Sequence, residues 1–294
     1  MTERDSVLWV HAHPDETSLG HALVRSGVSR LREAGTRVAV SDLYAMNWNP
    51  VLSDADFGTA TGGTLSERQK HAATTGRLAE DIRREQDALR AARHLVVSFP
   101  LWWYGMPAIL KGWFDRVFTA GFAFGVRDEQ GRVRRYGDGG LAGRTMLVVV
   151  TAGDRATALG PRGISGAIDH VLWPLLHGTA FYTGMRVLRP HLVASADLLD
   201  RATFPDEEKR LRDRLDRMNS ETAIAYRPLR GGDYDGEHVL LDHVRPGEYG
   251  PDVHAVAQGA IRTTATGPAS ACVRSRGVQR QQHGQCSGAQ DQAQ

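Results

Sequence analysis

Three short stretches carry residues whose types and spacing could do chemistry. Pro100-Leu101-Trp102-Trp103-Tyr104 sets three aromatics in a row behind a proline, and Thr151-Ala152-Gly153 joins a hydroxyl to two small residues. His13, Thr17, Ser18 and Leu19 place an imidazole and two hydroxyls just ahead of an apolar-periodic run. The first stretch offers flat π faces and backbone N–H groups to a flat heteroaromatic ligand. The second lets backbone approach such a ligand closely. The third can cradle phosphate through backbone N–H groups and a helix N-terminus. The plainer alternatives are aromatic capping of a core and an ordinary helix N-cap.

All three stretches follow segments that read as buried strands. Residues 7–11, 95–99 and 145–151 are short apolar runs rich in β-branched side chains. In an open parallel sheet, ligands sit at the carboxyl ends of the strands. The spacing predicts a helix from Leu19 to about Gly35, a second strand over 38–40, and a charged helix over 66–92. After the aromatic loop, Pro107 suits the first turn of a helix. Its apolar face, Ile109, Leu110, Trp113, Phe114, Val117 and Phe118, recurs at helical spacing. Residues 164–177 read as helical, 180–182 and 185–194 as a last strand region bent near Gly184 and Pro190, and 205–226 as an amphipathic helix. About five strands alternating with helices predict an α/β fold with a doubly wound parallel sheet. The irregular excursion over 42–66 is long for a compact domain, and so is either functional or mobile.

The run Pro100-Leu-Trp-Trp-Tyr-Gly-Met-Pro-Ala-Ile-Leu-Lys-Gly-Trp-Phe-Asp-Arg-Val-Phe118 resembles the signature of the NAD(P)H:quinone oxidoreductase family, the DT-diaphorases. Tyr44-Ala-Met-Asn-Trp-Asn-Pro50 is a second family-like segment, and the likeness runs from about Val7 to Val193, roughly two-thirds of the chain. The resemblance implies a flavodoxin-like fold of five strands in the order 2-1-3-4-5. It also implies FAD (with FMN as the other candidate), NAD(P)H as co-substrate, a quinone substrate and a homodimer with its substrate site at the subunit interface.

Carried over residue by residue, the resemblance assigns His13, Thr17, Ser18 and Leu19 to the flavin phosphate loop. Pro100, Leu101, Trp102, Trp103 and Tyr104 fall on the ring-binding loop, and Thr151, Ala152 and Gly153 on its other edge. Trp103, Tyr104 and Gly153 are the expected catalytic wall. Phe124, Val126 and Ser165 fall where the family meets its substrate. Six positions depart from the pattern, two of them Val150 and Ala152, which stand where the family's third loop has Thr and Gly. Gly20 stands where the family commonly has Asn. Phe124 and Val126 replace tyrosines of the vertebrate members. Ser165 replaces a histidine that takes up charge on the reduced flavin, and its tyrosine companion has no match near 157–159. The Ala152 and Gly153 amides are then expected to take over that charge. The implied reaction has two half-reactions: hydride transfer from NAD(P)H to the flavin, then two-electron reduction of a quinone in the same place.

The remaining features are consistent with a cytoplasmic protein. A net charge of +2 and 41% apolar residues among 294 argue for a globular chain without a polyanionic partner such as nucleic acid. No run is long enough to span a bilayer. Both cysteines, Cys272 and Cys286, lie near the C-terminus, which argues against a disulfide framework or a Cys-based metal site. Residues 1–226 read as the flavin-binding domain and 227–250 as an extension of little pattern. From Pro251 to Gln294 there is no Leu, Phe, Tyr, Trp or Met, which reads as a disordered tail.

Two other readings compete. His11-Ala-His13-Pro14-Asp15-Glu16 resembles the His-Pro-Asp-Asp-Glu motif of zinc-dependent N-acetylglucosaminyl deacetylases, with His170 or His243 as the distal ligand. That motif is one Asp short here and leaves 100–118 unexplained. The other reading is a flavodoxin-like regulatory subunit of a potassium-efflux system.

Overall fold

The computed structural model describes residues 6–58 and 62–256. In chain order the elements are β1 (Ser6–His11), α1 (Leu19–Glu33), β2 (Arg37–Asp42), α2 (Leu65–Thr75), α3 (Glu80–Ala91), β3 (His94–Pro100) and α4 (Ala108–Val117). They continue with β4 (Thr145–Thr151), α5 (Ile168–Val171), α6 (Trp173–Leu175), a π-helical turn (Leu176–Phe181), β5 (Arg186–Val187), β6 (His191–Val193) and α7 (Phe204–Asp216). The sheet is parallel, in the order β2-β1-β3-β4-β5, with β6 also pairing β4. The expected flavodoxin-like order is present. Its last strand is split, β5 lying beside the start of β4 and β6 beside its end.

Alternation along the strands divides the core between the two faces of the sheet. Leu8, Val10, Leu95, Val97, Met146 and Val148 pack with Ile82 and Leu89 of α3 and Leu110 and Trp113 of α4. Val7, Trp9, Val96, Leu147 and Val149 meet Leu23 and Val28 of α1 and Leu211 and Leu215 of α7. Both faces are covered, so the strands read as near-continuous apolar runs.

The excursion after β2 is fastened by one buried guanidinium. Arg116 Nη2 lies 2.7 Å from Asp56 Oδ1, Arg116 Nη1 2.7 Å from Asp81 Oδ2 and 3.0 Å from the Asn49 carbonyl. The guanidinium also covers the Trp48 ring at 4.6 Å. Trp48, Asp56 and Phe57 are buried as a result.

Several expected boundaries are corrected. The single helix over 66–92 is two helices, because Gly76 adopts a left-handed conformation (φ 68°) that caps α2. Residues 164–167 are turn and irregular backbone rather than helix, and 180–182 are no strand: Ala180 and Phe181 end the π-helical turn and Tyr182 lies in the turn that follows. Helix α7 stops at Asp216, after which Ile224 N–H donates to the Val187 carbonyl at the sheet edge. Packing also continues past Pro251. Pro251–His254 forms a 3-10 turn with Val253 buried, and the Val256 N–H donates to the Ala225 carbonyl. The described residues from 227 to 256 therefore belong to the same compact unit as the sheet. Residues 257–294, with the rest of the expected tail, lie outside the described residues.

Candidate functional site

Strands β1, β3 and β4 end side by side, with His11 paired to Ser98 and Pro100 to Thr151. Their three following loops therefore converge. They enclose a cleft of about 520 Å³ lined by His13, Ser18 and Leu19 from the first loop, Pro100, Leu101 and Trp102 from the second, and Thr151, Ala152 and Gly153 from the third. Asp15, Gly20, Ala196, Asp197 and Leu199 complete it. Nine of the twelve residues expected to hold a cofactor share one cleft.

The remaining three lie outside that lining. Thr17 donates its N–H and its hydroxyl to Asp15 Oδ1, at 2.8 and 2.7 Å, so its side chain caps the loop instead of facing the cleft. These bonds hold the Asp15 carboxyl below its ordinary pKa. Trp103 and Tyr104 form the tip of a hairpin. Trp102 and Gly105 exchange N–H···O bonds of 3.1 and 3.0 Å, and the two residues between them have φ of 50° and 58°. That is the backbone of a type I′ turn, which normally takes Asn-Gly. Trp103 is 99% exposed and Tyr104 52%. Two bulky residues held at positive φ cost on the order of 1–3 kcal/mol each.

The Tyr104 hydroxyl reaches the third loop. It lies 3.3 Å from Asp154 Oδ2 and 3.1 Å from Ser165 Oγ, while Ser165 Oγ lies 2.7 Å from the same Asp154 oxygen. Ser165 is thus brought to the rim, joined to Tyr104 through a carboxylate that the sequence reading did not single out. Phe124 is not part of this cleft. It lines a separate groove of about 420 Å³ with Met106, Phe114, Phe118, Leu175 and Tyr182. Val126 belongs to the neighbouring hairpin, its carbonyl accepting the Arg134 N–H.

The donors at the floor of the cleft are set by their partners. His13 Nδ1 accepts the Asp15 N–H at 3.0 Å, which leaves the proton on Nε2, and partial burial lowers its pKa. Ser18 caps α1, and the first-turn amides of Leu19 and Gly20 have no acceptor inside the helix. The Ala152 N–H donates to the Val193 carbonyl at 2.9 Å. Of the two amides expected to compensate charge, that one is spent on the sheet.

Beneath the cleft lies a network the sequence reading missed. His11 Nδ1 is 2.8 Å from Ser98 Oγ, which also accepts from Trp9 Nε1, and His11 Nε2 is 3.4 Å from His21 Nδ1. His21 Nε2 in turn lies 2.9 Å from Asp42 Oδ2. Burial, then the neighbouring His21, lowers the His11 pKa to about 4. The available signal was positional: a polar His at the end of an apolar strand and another one turn into the following helix.

A family description for the flavodoxin-like fold matches residues 5–215. The Penicillium crustosum protein named ribosyldihydronicotinamide dehydrogenase-like protein traD is 35% identical over 263 residues, covering 88% of this chain and 97% of that one. The human ribosyldihydronicotinamide dehydrogenase (quinone) is 40% identical over 194 residues, covering 63% of this chain and 80% of that one. The chain belongs to the NAD(P)H dehydrogenase (quinone) family. It is an oxidoreductase. A solved structure assigned as a quinone reductase from Klebsiella pneumoniae superposes with a TM-score of 0.82 at 38% identity, covering 86% of this chain and all of that one.

Family membership and geometry both oppose the deacetylase reading. In the His13-Pro14-Asp15 stretch, His13 Nδ1 accepts the Asp15 N–H and Asp15 Oδ1 accepts two bonds from Thr17, and His170 Nε2 pairs with Asp252 Oδ1 at 2.7 Å. Among the described residues, no three His, Cys, Asp or Glu side chains converge as metal ligands would. The cleft does fit the flavin that this family resemblance implies. Its donor end is the α1 N-terminus with Ser18 and His13 Nε2–H, and its flat wall is Trp102 with the small residues Ala152 and Gly153. Asp15 and Asp197 oppose an anion there, and no Lys or Arg lines the cleft.

Proposed function

We propose that this chain binds a flavin, FAD in preference to FMN, in the strand-end cleft and reduces quinones with NAD(P)H by a ping-pong route. The observation that carries this reading is the convergence of the three strand-end loops under a strained aromatic turn. A bound flavin supplies two-electron hydride exchange, and the protein supplies position and electrostatics.

His13 Nε2–H, Ser18 and the α1 N-terminus would hold the phosphate end, with no arginine to help. Trp102 and Leu101 would flank the ring on one side, Thr151 and Gly153 on the other. Trp103 and Tyr104, fixed at the rim, would wall the place that nicotinamide and quinone occupy in turn. The Gly153 N–H is the donor left to steady negative charge at that edge, because the Tyr104 and Ser165 hydroxyls are turned to the Asp154 carboxylate. Within one chain Phe124 and Val126 lie away from the cleft, so their substrate role requires a second copy and a homodimer. No helix among the described residues is long and apolar enough to cross a membrane; the proposed enzyme is cytoplasmic and acts on diffusible quinones.

The test is an absorption spectrum of purified protein, repeated anaerobically with NADPH and then a benzoquinone. Yellow protein that bleaches and recovers supports the reading. Flavin bound without quinone turnover would replace it with the ancillary-subunit role. Colourless protein that takes up neither FAD nor FMN would overturn it.

A further inference from the structure

A second cavity, separate from the strand-end cleft, is built by the segment to which the sequence assigned no function. Residues 227–254 fold against α6 and the π-helical turn and leave a pocket of about 360 Å³ between them. This is within the ~300–1,000 Å³ typical of small-ligand sites.

Its walls are aromatic. Trp173 and His177 stack with ring centres 4.1 Å apart and planes 12° apart. Tyr234 and His254 are parallel to within 8°, and the Tyr234 hydroxyl lies 3.0 Å from His254 Nδ1. Tyr182 closes another side. Burial keeps His177 and His254 below the ordinary histidine pKa, so both rings are neutral at pH 7.

The charge in the pocket is unbalanced. No Asp or Glu lines it. Two guanidiniums do, and their situations differ. Arg227 is committed: Nη1 lies 2.7 Å from Asp233 Oδ2 and Nε donates to the Val253 carbonyl at 2.9 Å. Among the described residues the Arg135 side chain has one hydrogen-bond partner, His238 Nε2 at 3.4 Å from Nη2, and its Nε is buried with none. The Nε is sealed off by protein, whereas Nη1 is accessible and has no partner among the described residues, so it is the donor left for an acceptor that enters the pocket. Guanidinium geometry favours a carboxylate as that acceptor.

We propose that this pocket binds a planar aromatic carboxylate, its carboxylate on Arg135 and its rings among Trp173, Tyr182 and Tyr234. Within one chain the site shares no lining residue with the strand-end cleft, although Tyr182 also borders the groove that holds Phe124. His238 Nε2 accepts the long bond from Arg135 Nη2, and an incoming carboxylate would replace it as the acceptor.

Isothermal titration of the full chain with 2-naphthoate, and with neutral 2-naphthamide of the same shape, tests it. The expected result is one site per chain for the carboxylate, and at least roughly tenfold weaker binding of the amide. Arg135→Gln should weaken 2-naphthoate by a similar factor, Tyr234→Ala should weaken both probes, and Trp102→Ala in the other cleft should change neither. If Arg135→Gln does not fold, the carboxylate-to-amide ratio and Tyr234→Ala still decide. No heat at millimolar probe, equal affinity for both probes, or loss of binding only with Trp102→Ala would overturn the proposal.

Discussion

Ser165 Oγ donates to Asp154 Oδ2 at 2.7 Å, a bond that ties the loop after β4 to the aromatic turn after β3 because the Tyr104 hydroxyl reaches both atoms. The resemblance places a charge-stabilising histidine at Ser165, and a short hydroxyl–carboxylate link stands there instead. Ser165→Ala removes one bond to a charged acceptor at a half-buried site, a loss of about 1 kcal/mol. The expected outcome is a three- to tenfold fall in kcat/KM for quinone (roughly 1 kcal/mol at 25 °C) carried by KM, with flavin affinity unchanged. Steady-state kinetics beside a flavin titration checks it; an unchanged KM would remove the rim from the substrate wall.

The turn itself stores strain. Trp103 and Tyr104 sit at φ 50° and 58°, where Asn-Gly would sit without cost. Replacing both by Asn-Gly should stabilise the fold by about 1–3 kcal/mol while removing the exposed aromatic wall. Urea denaturation would show a higher midpoint at unchanged slope, and quinone reduction should drop at least tenfold. A variant that loses stability would mean that the rings are held by packing and not by function.

Much of this geometry was legible in the chain, for identifiable reasons. Residues 7–11, 95–99 and 145–151 are buried on both faces, so their apolar runs were continuous and their carboxyl ends located the cleft. The aromatic turn was located but not typed, because Trp-Tyr carries none of the usual turn chemistry. The break at Gly76 is masked because Leu78, Ile82 and Leu89 follow at helical spacing and read as the apolar side of a single helix. The π-helical turn was misread as partly strand because Ala180, Phe181 and Tyr182 are apolar in a row. The links from Ser165 and Asp154 to Tyr104, and the pocket around Arg135, depend on loops meeting in space. Local pattern has no access to such contacts.

The clamp on the excursion after β2 gives a stability prediction. Arg116 and Asp56 are each 4% exposed at the side chain, and Arg116 also binds Asp81 and the Asn49 carbonyl. Arg116→Met leaves a buried carboxylate unpaired, which should cost about 3–5 kcal/mol. Adding Asp56→Asn should recover part of that loss, because the orphan charge is gone. Thermal melts of both variants check this: a double variant no more stable than the single one would show that packing over Trp48, and not charge pairing, dominates.

The buried histidine under the cleft makes stability depend on pH. His11 has a pKa of about 4 in the folded protein, below its ordinary 6.5, because burial and the adjacent His21 disfavour its charged form. The unfolded chain therefore binds the extra proton first as pH falls. Stability is fully present above about pH 6.5 and is lost progressively toward pH 4, by roughly 3 kcal/mol for this one group. Asp42 adds a loss at lower pH. Burial alone would raise its carboxyl, but the His21 and Ala45 hydrogen bonds hold it below 3.8. His11→Asn retains a polar partner for Ser98 while removing the titrating ring. Chemical denaturation at pH 7, 6, 5 and 4.5 should show a falling free energy for the parent chain and a flatter profile for the variant. Parallel profiles would assign the acid limb to other groups, with His177 and its pKa of about 4 the next to replace.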